Sequence, residues 1–305
     1  MINKKISIII PVFNEEKNVV VAYNKINDFF INQLKNFQYE IIFTDNHSED
    51  KTQQILEELC EKDKKVKYIR FKYNLGYDKS LLQGYKQAAG EAAIVIDSDL
   101  QDPPELFQNF IEKWLEGYDL VYGIRERRKE SKFFSNLRVF YYKTMHRYSF
   151  SKFPIGAGDF RLVDKSIIDN FRDNKESYPY MRGITFSLSK RSIGIKYDRV
   201  DRLRGESKYN YFNALRYALN ALIEESFLLN KIFNSAFLFL ILFIFLLFII
   251  DFFNHFIDVY LMQLFNLIFL IFVALRLIFV SEYLDRIYLT VKNKKINIFE
   301  KKINC

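Results

Sequence analysis

Cysteine is almost missing from this chain. Cys60 and Cys305 are the only two in 305 residues, and they lie far apart with no partnering pattern. Neither a disulfide framework nor a cysteine zinc site is implied, and a reducing cytoplasmic setting fits. Histidine is as scarce: His47, His146 and His255 show no spacing for a metal or a catalytic triad. No Gly-x-Gly-x-x-Gly follows the first apolar run and no Walker A sequence occurs, which argues against a dinucleotide dehydrogenase and a P-loop NTPase. No secretory signal is read at the start, because Ile6 to Phe13 is too short and runs straight into charge. What the chain has in excess is positive charge and phenylalanine. The net charge is +8 with a pI near 9.1, so anionic partners are expected: phosphorylated substrates or an anionic membrane surface. A nucleic-acid partner is not expected, since no recognition motif is present and the basic residues track the membrane-proximal segments.

The 32 phenylalanines concentrate in the C-terminal third, where the chain changes character. Ile232 to Ile250 is nineteen residues without a charge, and Val259 to Val280 is a second apolar stretch interrupted by Gln263, Asn266 and Arg276. Each approaches the ~20 residues needed to cross a hydrocarbon core. The loop between them, Asp251 to Asp258, is short and acidic. Lys231 precedes the first run, and Arg286, Lys292, Lys294, Lys295, Lys301 and Lys302 follow the second. The positive-inside rule therefore puts both flanks in the cytoplasm and the N-terminal part of a multi-pass protein on the cytoplasmic face of an inner membrane. Arg276 is expected to face protein, a headgroup or the partner helix rather than lipid. Two apolar stripes at helical spacing lie upstream: Phe212, Leu215, Leu219, Leu222 and Phe227, and Phe133, Leu137, Phe140, Met145 and Tyr148. Membrane-interface contact and packing on the globular part both account for them. The organisation expected is a catalytic domain over 1–208, an amphipathic juxtamembrane helix over 209–230, two membrane helices within 231–283, and a basic tail over 284–305.

The first two-thirds alternates short apolar runs with helical patterns. Ile6–Phe13, Tyr39–Thr44, Val66–Phe71, Ala92–Ile96 and Leu120–Tyr122 read as strands; Glu15–Leu34, Lys51–Glu61, Lys79–Ala89 and Pro104–Glu116 read as helices. Such alternation predicts an α/β fold, a mostly parallel, Rossmann-like sheet with helices on both faces. Ligands bind such sheets outside the carboxyl ends of the strands. Three acidic, polar loops would gather there: Asn14-Glu15-Glu16, Asp45 to Asp50, and Asp97-Ser98-Asp99. The last suits a divalent cation, because two carboxylates two residues apart can reach one ion that completes its shell with water and phosphate oxygens. Asp102 before Pro103-Pro104 reads as the N-cap of the next helix.

The residues also carry a family resemblance. Ile8 to Glu15 (IIIPVFNE), Asp45 to Asp50 (DNHSED), Asn74-Leu75-Gly76 and Asp97 to Pro104 (DSDLQDPP) resemble the inverting GT-A glycosyltransferases of family 2. Gly156 to Arg161, Tyr180 to Gly183 and Tyr197 to Lys208 narrow the resemblance to polyprenyl-phosphate glycosyltransferases, whose relatives include dolichol-phosphate mannosyltransferases and undecaprenyl-phosphate glucosyltransferases. The resemblance implies a GT-A catalytic domain followed by a transmembrane hairpin, and a metal-dependent transfer of sugar from a nucleotide sugar to a polyprenyl phosphate. A UDP-sugar, UDP-glucose first, is favoured by the bacterial glucosyltransferase branch, and a homo-oligomer is expected. Pro11, Phe13 and Glu15 would lie at the nucleotide and Asp45 would accept from the base imide. Asp97 would face ribose and metal, while Asp99 and Gln101 would hold Mg²⁺ or Mn²⁺ on the diphosphate.

Transfer to a lipid phosphate needs cations more than a strong base, because the acceptor is already anionic at neutral pH. Arg125, Arg161, Arg182, Arg202 and Lys208 are the expected phosphate-binding residues, arginine's planar fork being suited to bidentate contacts. Asp159 is the candidate base, with orientation of Arg161 or a neighbouring arginine as its alternative. Two further readings stay open. A processive polysaccharide synthase would need a Gln-x-x-Arg-Trp element, whereas the only tryptophan is Trp114. A non-catalytic nucleotide-sugar-binding subunit would show missing carboxylates, and the set is complete.

Overall fold

A computed structural model describes residues 4–126, 132–151, 154, 156–173, 179–200, 218–223, 226–254, 259–292 and 298–305. Arg202 and Lys208 lie outside the described residues, as do Phe212 and Leu215 of the first apolar stripe.

The isoleucine-rich run at the start becomes β1 (Lys5–Val12), followed by α1 (Val19–Gln33), β2 (Gln38–Asp45), α2 (Thr52–Lys62), β3 (Val66–Phe71), α3 (Tyr77–Gln87), β4 (Ala92–Val95), α4 (Leu106–Leu115) and β5 (Leu120–Arg125). Every strand and helix expected in this stretch is present, with ends shifted by a few residues. Beyond it the pattern changes to α5 (Lys132–Tyr148), β6 (Ala157–Asp164), α6 (Lys165–Asp173), α7 (Met181–Leu188) and β7 (Ser192–Tyr197). Two long helices follow, α8 (Leu228–Asn254) and α9 (Val259–Lys292), and the chain ends in β8 (Phe299–Ile303).

The strands form one sheet in the order β7-β5-β6-β4-β1-β2-β3-β8. Strands β1 to β4 are parallel, β6 runs antiparallel between β4 and β5, and β8 runs antiparallel on the edge of β3. Strand alternation sends Ile6, Ile8 and Ile10 to one face, where they meet Phe30 of α1, Leu56 of α2 and Phe107, Phe110 and Trp114 of α4. Ile9 points to the other face, among Leu81 and Tyr85 of α3, Phe171 of α6 and Met145 of α5. A strand covered on both faces has no polar side to show, which explains the apolar run from Ile8 to Val12; Ser7, also buried, donates to Glu40 Oε1 at 2.7 Å. Helix α3 lies so close to β1 that a Cβ on Gly84 would come within 2.5 Å of the Ile9 side chain. Gly84→Ala would therefore force α3 off the strand that leads into the site.

Helices α8 and α9 are long and apolar enough to cross a membrane, and neither is buried within the protein. Arg276 faces the partner helix: its Nη2 donates to Asn230 at 2.6 Å and Asn234 at 2.8 Å. At 1.5 Å per residue the 34 residues of α9 span about 51 Å, well beyond a ~30 Å hydrocarbon core, and near its end Arg286 Nη2 donates to Asn220 Oδ1 at 3.1 Å. The expected basic tail is not a free tail. Its last residues form β8, with Ile303 and Phe299 packed against the two faces of the core. The chain beyond α9 thereby returns to the same sheet that precedes α8 in sequence. The second apolar stripe is divided: Met145 is buried in the domain, while Leu137, Phe140 and Tyr148 stay exposed. Exposed Phe150 packs edge-on against exposed Phe227, immediately before α8.

Candidate active site

The sheet register gathers the expected residues at one edge. Val95 at the end of β4 lies opposite Arg161 of antiparallel β6. Asp97, two residues past Val95, therefore leaves the sheet where Asp159, two residues before Arg161, enters it. Arg125 ends β5 beside Tyr197 at the end of β7, at the same edge.

Around Asp97 the charge is predominantly acidic. Tyr77 donates to its Oδ1 at 2.9 Å, and among the described residues Arg199 stands 3.8 Å from Oδ2. Burial, with the charges of Asp102 and Asp99, pushes the Asp97 carboxyl up to about 7. Asp102 is not the helix cap its Pro-Pro context predicts. Helix α4 starts later, after Glu105, without a side-chain cap. Asp102 is instead buried, accepting from Tyr197 and from Arg125 Nη2 at 2.9 Å, with Arg199 Nε 3.2 Å away. Carboxylates crowded until one is driven toward its neutral form have the electrostatics of a cation site, so Asp97, Asp99 and Gln101 fit a divalent ion. Among the described residues no cluster of three or more carboxylate, histidine or cysteine side chains forms a complete metal cage. An ion here would need oxygens from elsewhere, as one shared with a diphosphate has. Gln101 Nε2 approaches the Val200 carbonyl at 3.4 Å, and Val200 N donates to the Gln101 carbonyl at 3.0 Å, tying this loop to the end of β7.

Around Asp159 the balance is reversed. Arg161 Nη2 meets its Oδ1, and Arg182 Nη2 meets its Oδ2 at 2.7 Å. Burial alone would raise this carboxyl, but the guanidiniums of Arg182 and Arg161 hold it well below the usual carboxylate range. Such a group is a weak proton acceptor, so the geometry favours the alternative role of holding arginines in place. Arg161 is 2% exposed, too deep to meet a lipid phosphate directly, and its Nη1 has no partner among the described residues. Arg182 also donates to Tyr142 of α5 at 3.2 Å. Arg125, Arg161 and Arg182 are thus brought to one edge as expected, but each is already paired with a carboxylate.

Residues 7–172 match the glycosyl transferase family 2. The chain belongs to that family. The glycosyltransferase is 33% identical over 304 residues to the SfII prophage-derived bactoprenol glucosyl transferase of Shigella flexneri, covering 97% of this chain and 98% of that one. It is 35% identical over 221 residues to the glycosyltransferase YkcC of Bacillus subtilis, itself uncharacterized, covering 72% and 68% of the two chains. The solved mannosyl-3-phosphoglycerate synthase from Rubrobacter xylanophilus superposes with a TM-score of 0.51 at 13% identity over 72% of each chain, a likeness of fold. The architecture is GT-A, and the protein is a membrane-associated transferase.

Of the residues expected at the nucleotide, Pro11 is buried in β1, Phe13 is exposed just past it, and Glu15 anchors the turn into α1. The Glu15 amide donates to Thr52 Oγ1 at 2.8 Å and its carboxylate accepts from Asn18 at 2.6 Å. Asp45, expected to accept from a base imide, has its carboxylate occupied by the protein in this structure. It is fully buried, with Oδ1 accepting from the Ser48 amide and hydroxyl and Oδ2 from Tyr68 and Arg70. Four hydrogen bonds fill a carboxylate, so none is left for a base imide. Its work here is to hold the loop after β2. Two strand spacings, about 10 Å, also separate it from Asp97.

Three contributors escaped the sequence reading. Arg199 and Tyr197 sit inside a quoted motif without a role, and Asp78 opens α3. Burial and the charge of Asp159 push the Asp78 carboxyl up to about 7, and it accepts from the Met181 amide at 3.0 Å. Nothing in local spacing marks Asp78, because its importance comes from a strand 80 residues away. A cavity of about 410 Å³ lies at the opposite end of the strands, beside Lys5, Gln38 and Lys67. Both lysines are drawn to the buried Glu40, so this basic cleft is balanced internally.

Proposed function

We propose that this glycosyltransferase moves a sugar from a UDP-sugar, UDP-glucose first, to the phosphate of a polyprenyl lipid such as undecaprenyl phosphate, with inversion, at the cytoplasmic face of the membrane. The observation that carries this reading is the end-to-end likeness to a bactoprenol glucosyl transferase, which extends through the hairpin. Charge at the sheet edge supports it. A divalent cation, Mg²⁺ or Mn²⁺, held by Asp97, Asp99 and Gln101 would supply Lewis-acid stabilisation to the departing diphosphate.

The protein's own part is positioning. An oxygen of the acceptor phosphate attacks the anomeric carbon from the side opposite the nucleotide, and the bond to the diphosphate oxygen breaks. A phosphate monoester has its second pKa near 6, so the nucleophile needs no deprotonation by Asp159. Asp159 keeps Arg182 and Arg161 aligned, and Asp102 keeps Arg125 aligned, so that positive charge offsets repulsion between the two phosphates without reorganising. Arg202 and Lys208 are the remaining proposed phosphate ligands. Lysines and arginine flanking the hairpin favour the cytoplasmic side for the domain.

The test is turnover. Purified full-length protein, given Mg²⁺ or Mn²⁺, undecaprenyl phosphate and a panel of UDP- and GDP-sugars, should yield a lipid-linked hexose detectable by mass spectrometry. No such product from any donor, with Asp99→Ala giving the same blank, would overturn the reading.

A further inference from the structure

The strand that returns from the membrane does more than cover an edge. Pairing between β3 and β8 runs Tyr68 to Ile303, Ile69 to Lys302 and Arg70 to Lys301, and then skips to Phe71 opposite Phe299. The residue skipped is Glu300. In a regular strand Glu300 and Lys301 would point to opposite faces. A bulge redirects one of them, and bulges are common beside active sites for that reason. Here both side chains serve the same region: Lys301 reaches Glu57 of α2 at 2.8 Å, and Glu300 Oε2 lies 3.0 Å from Arg70 Nε.

Arg70 is 8% exposed and its fork connects three partners. Nε donates to Glu300, and Nη1 donates both to Asp45 Oδ2 at 2.9 Å and to the Ser48 carbonyl at 3.0 Å. Ser48 Oγ in turn donates to Asp45 Oδ1 at 2.6 Å and accepts the Asn14 amide at 2.8 Å. Asn14 Oδ1 takes the Glu49 amide at 2.7 Å. An unbroken polar path thus runs from Glu300 through Arg70 and the loop after β2 to the loop after β1, which carries Phe13 and Glu15. His47 adds a second contact, its Nδ1 3.3 Å from Glu300 and 3.1 Å from the Phe71 carbonyl. His47 holds φ at +66°, a backbone setting that favours glycine and needs support.

We infer that Glu300 is a positioning residue for nucleotide binding: the C-terminal strand, by completing the environment of Arg70, shapes the loops after β1 and β2. The inference rests on the nucleotide-sugar reading above and names which distant element tunes it. Arg70 needs two carboxylates because one buried aspartate leaves Nε facing partly wet space, where the guanidinium would turn and release Ser48. Glu300 also comes from the chain beyond α9, so the donor loops acquire their final shape only once the hairpin is made and its end has returned to the sheet.

The experiment uses the full-length enzyme in detergent or nanodiscs with Mn²⁺, titrated with UDP by calorimetry and then assayed for each substrate separately. Glu300→Ala should weaken UDP binding and raise donor KM by roughly three- to tenfold, the range expected for one charge-assisted hydrogen bond that is half-exposed. Its kcat and acceptor KM should stay within about twofold of wild type, the signature of lost ground-state binding. Glu300→Gln keeps an oxygen for Arg70 Nε and should recover most of the loss. Lys301→Ala removes the neighbouring side-chain ion pair to Glu57, keeps the backbone pairing of β8 with β3 and leaves the Glu300–Arg70 contact in place, and should bind UDP normally. Equal UDP affinity in Glu300→Ala and wild type would overturn the inference, as would an equal loss in Lys301→Ala, which would reduce β8 to a brace. Wild type that binds neither UDP nor GDP would fail the nucleotide-sugar reading itself, and this inference with it, a pattern no single variant produces.

Discussion

Asp97 and Asp159 are the same side chain at the same edge of one sheet, on neighbouring antiparallel strands, and their surroundings are opposite. Asp97 faces Asp99 and Asp102, and its carboxyl is driven up to about 7. Asp159 faces Arg161 and Arg182, and its carboxyl is held far down. The first site is short of positive charge and the second has it built in. On the proposed reading, a donor diphosphate arriving with a metal would sit beside the first and an acceptor phosphate beside the second. Opposite neighbours thus give two aspartates on adjacent strands opposite electrostatics.

The largest effect should come from emptying the first site. Asp99→Ala ought to lower formation of lipid-linked sugar by roughly a thousandfold, since a misplaced metal removes several kcal/mol of stabilisation from the leaving group. Asp99 is partly exposed, so the thermal melt of the variant should match wild type. Turnover within tenfold of wild type would show that the acidic edge does not hold the metal, and would break the comparison at its root.

Next comes the second site, where the expected loss is of stability. Asp159→Asn leaves two buried guanidiniums facing a neutral amide, which should cost about 3–5 kcal/mol. A lowered folded-state pKa means that the wild-type carboxylate contributes stability above its unfolded pKa, about 3.9, and loses it as pH falls below that value. Melting followed from pH 7 down to 3 should therefore show an acid-side decline in wild type that is reduced in Asp159→Asn. A variant that melts like wild type but has lost turnover, with a new acid limb in the wild-type rate profile, would return Asp159 to the role of base.

How much of this was readable beforehand depends on the length scale of the signal. The strands β1 to β5 and helices α1 to α4 were legible because their apolar spacing is local, and Ala93 to Ile96 announced a doubly covered strand. Asp97 and Asp99 were legible because a strand end and two carboxylates fit in one short window. Strand β8 was not: Phe299 to Ile303 reads Phe-Glu-Lys-Lys-Ile, whose charges look like a solvated tail and in fact point to Arg70 and Glu57. Asp102 misled because Pro103-Pro104 imitates a helix start, while its true partners, Arg125, Tyr197 and Arg199, are 23 to 97 residues away. The burial of Asp45 and its bonds to Ser48, Tyr68 and Arg70 were not legible, since burial is a property of the fold rather than of the motif.

The subtlest difference between the two aspartates is how they respond to pH when metal is present. For metal-free protein, the raised Asp97 pKa implies that folding takes up a proton at this site, so its share of stability falls as pH rises from about 4 to about 7. That slope is opposite in sign to the one expected from Asp159. A divalent ion competes with the same proton, so binding should expel it: Mn²⁺ affinity by calorimetry should climb by up to tenfold per pH unit below 7 and level off above. Heats measured in two buffers of different ionisation enthalpy would count the proton released, approaching one near pH 6. Asp159→Asn should leave this curve unchanged, because no proton is bound there to be displaced. If the curve is flat in wild type, Asp97 is already ionised without metal, and Arg199 at 3.8 Å must balance its charge more fully than the geometry indicates.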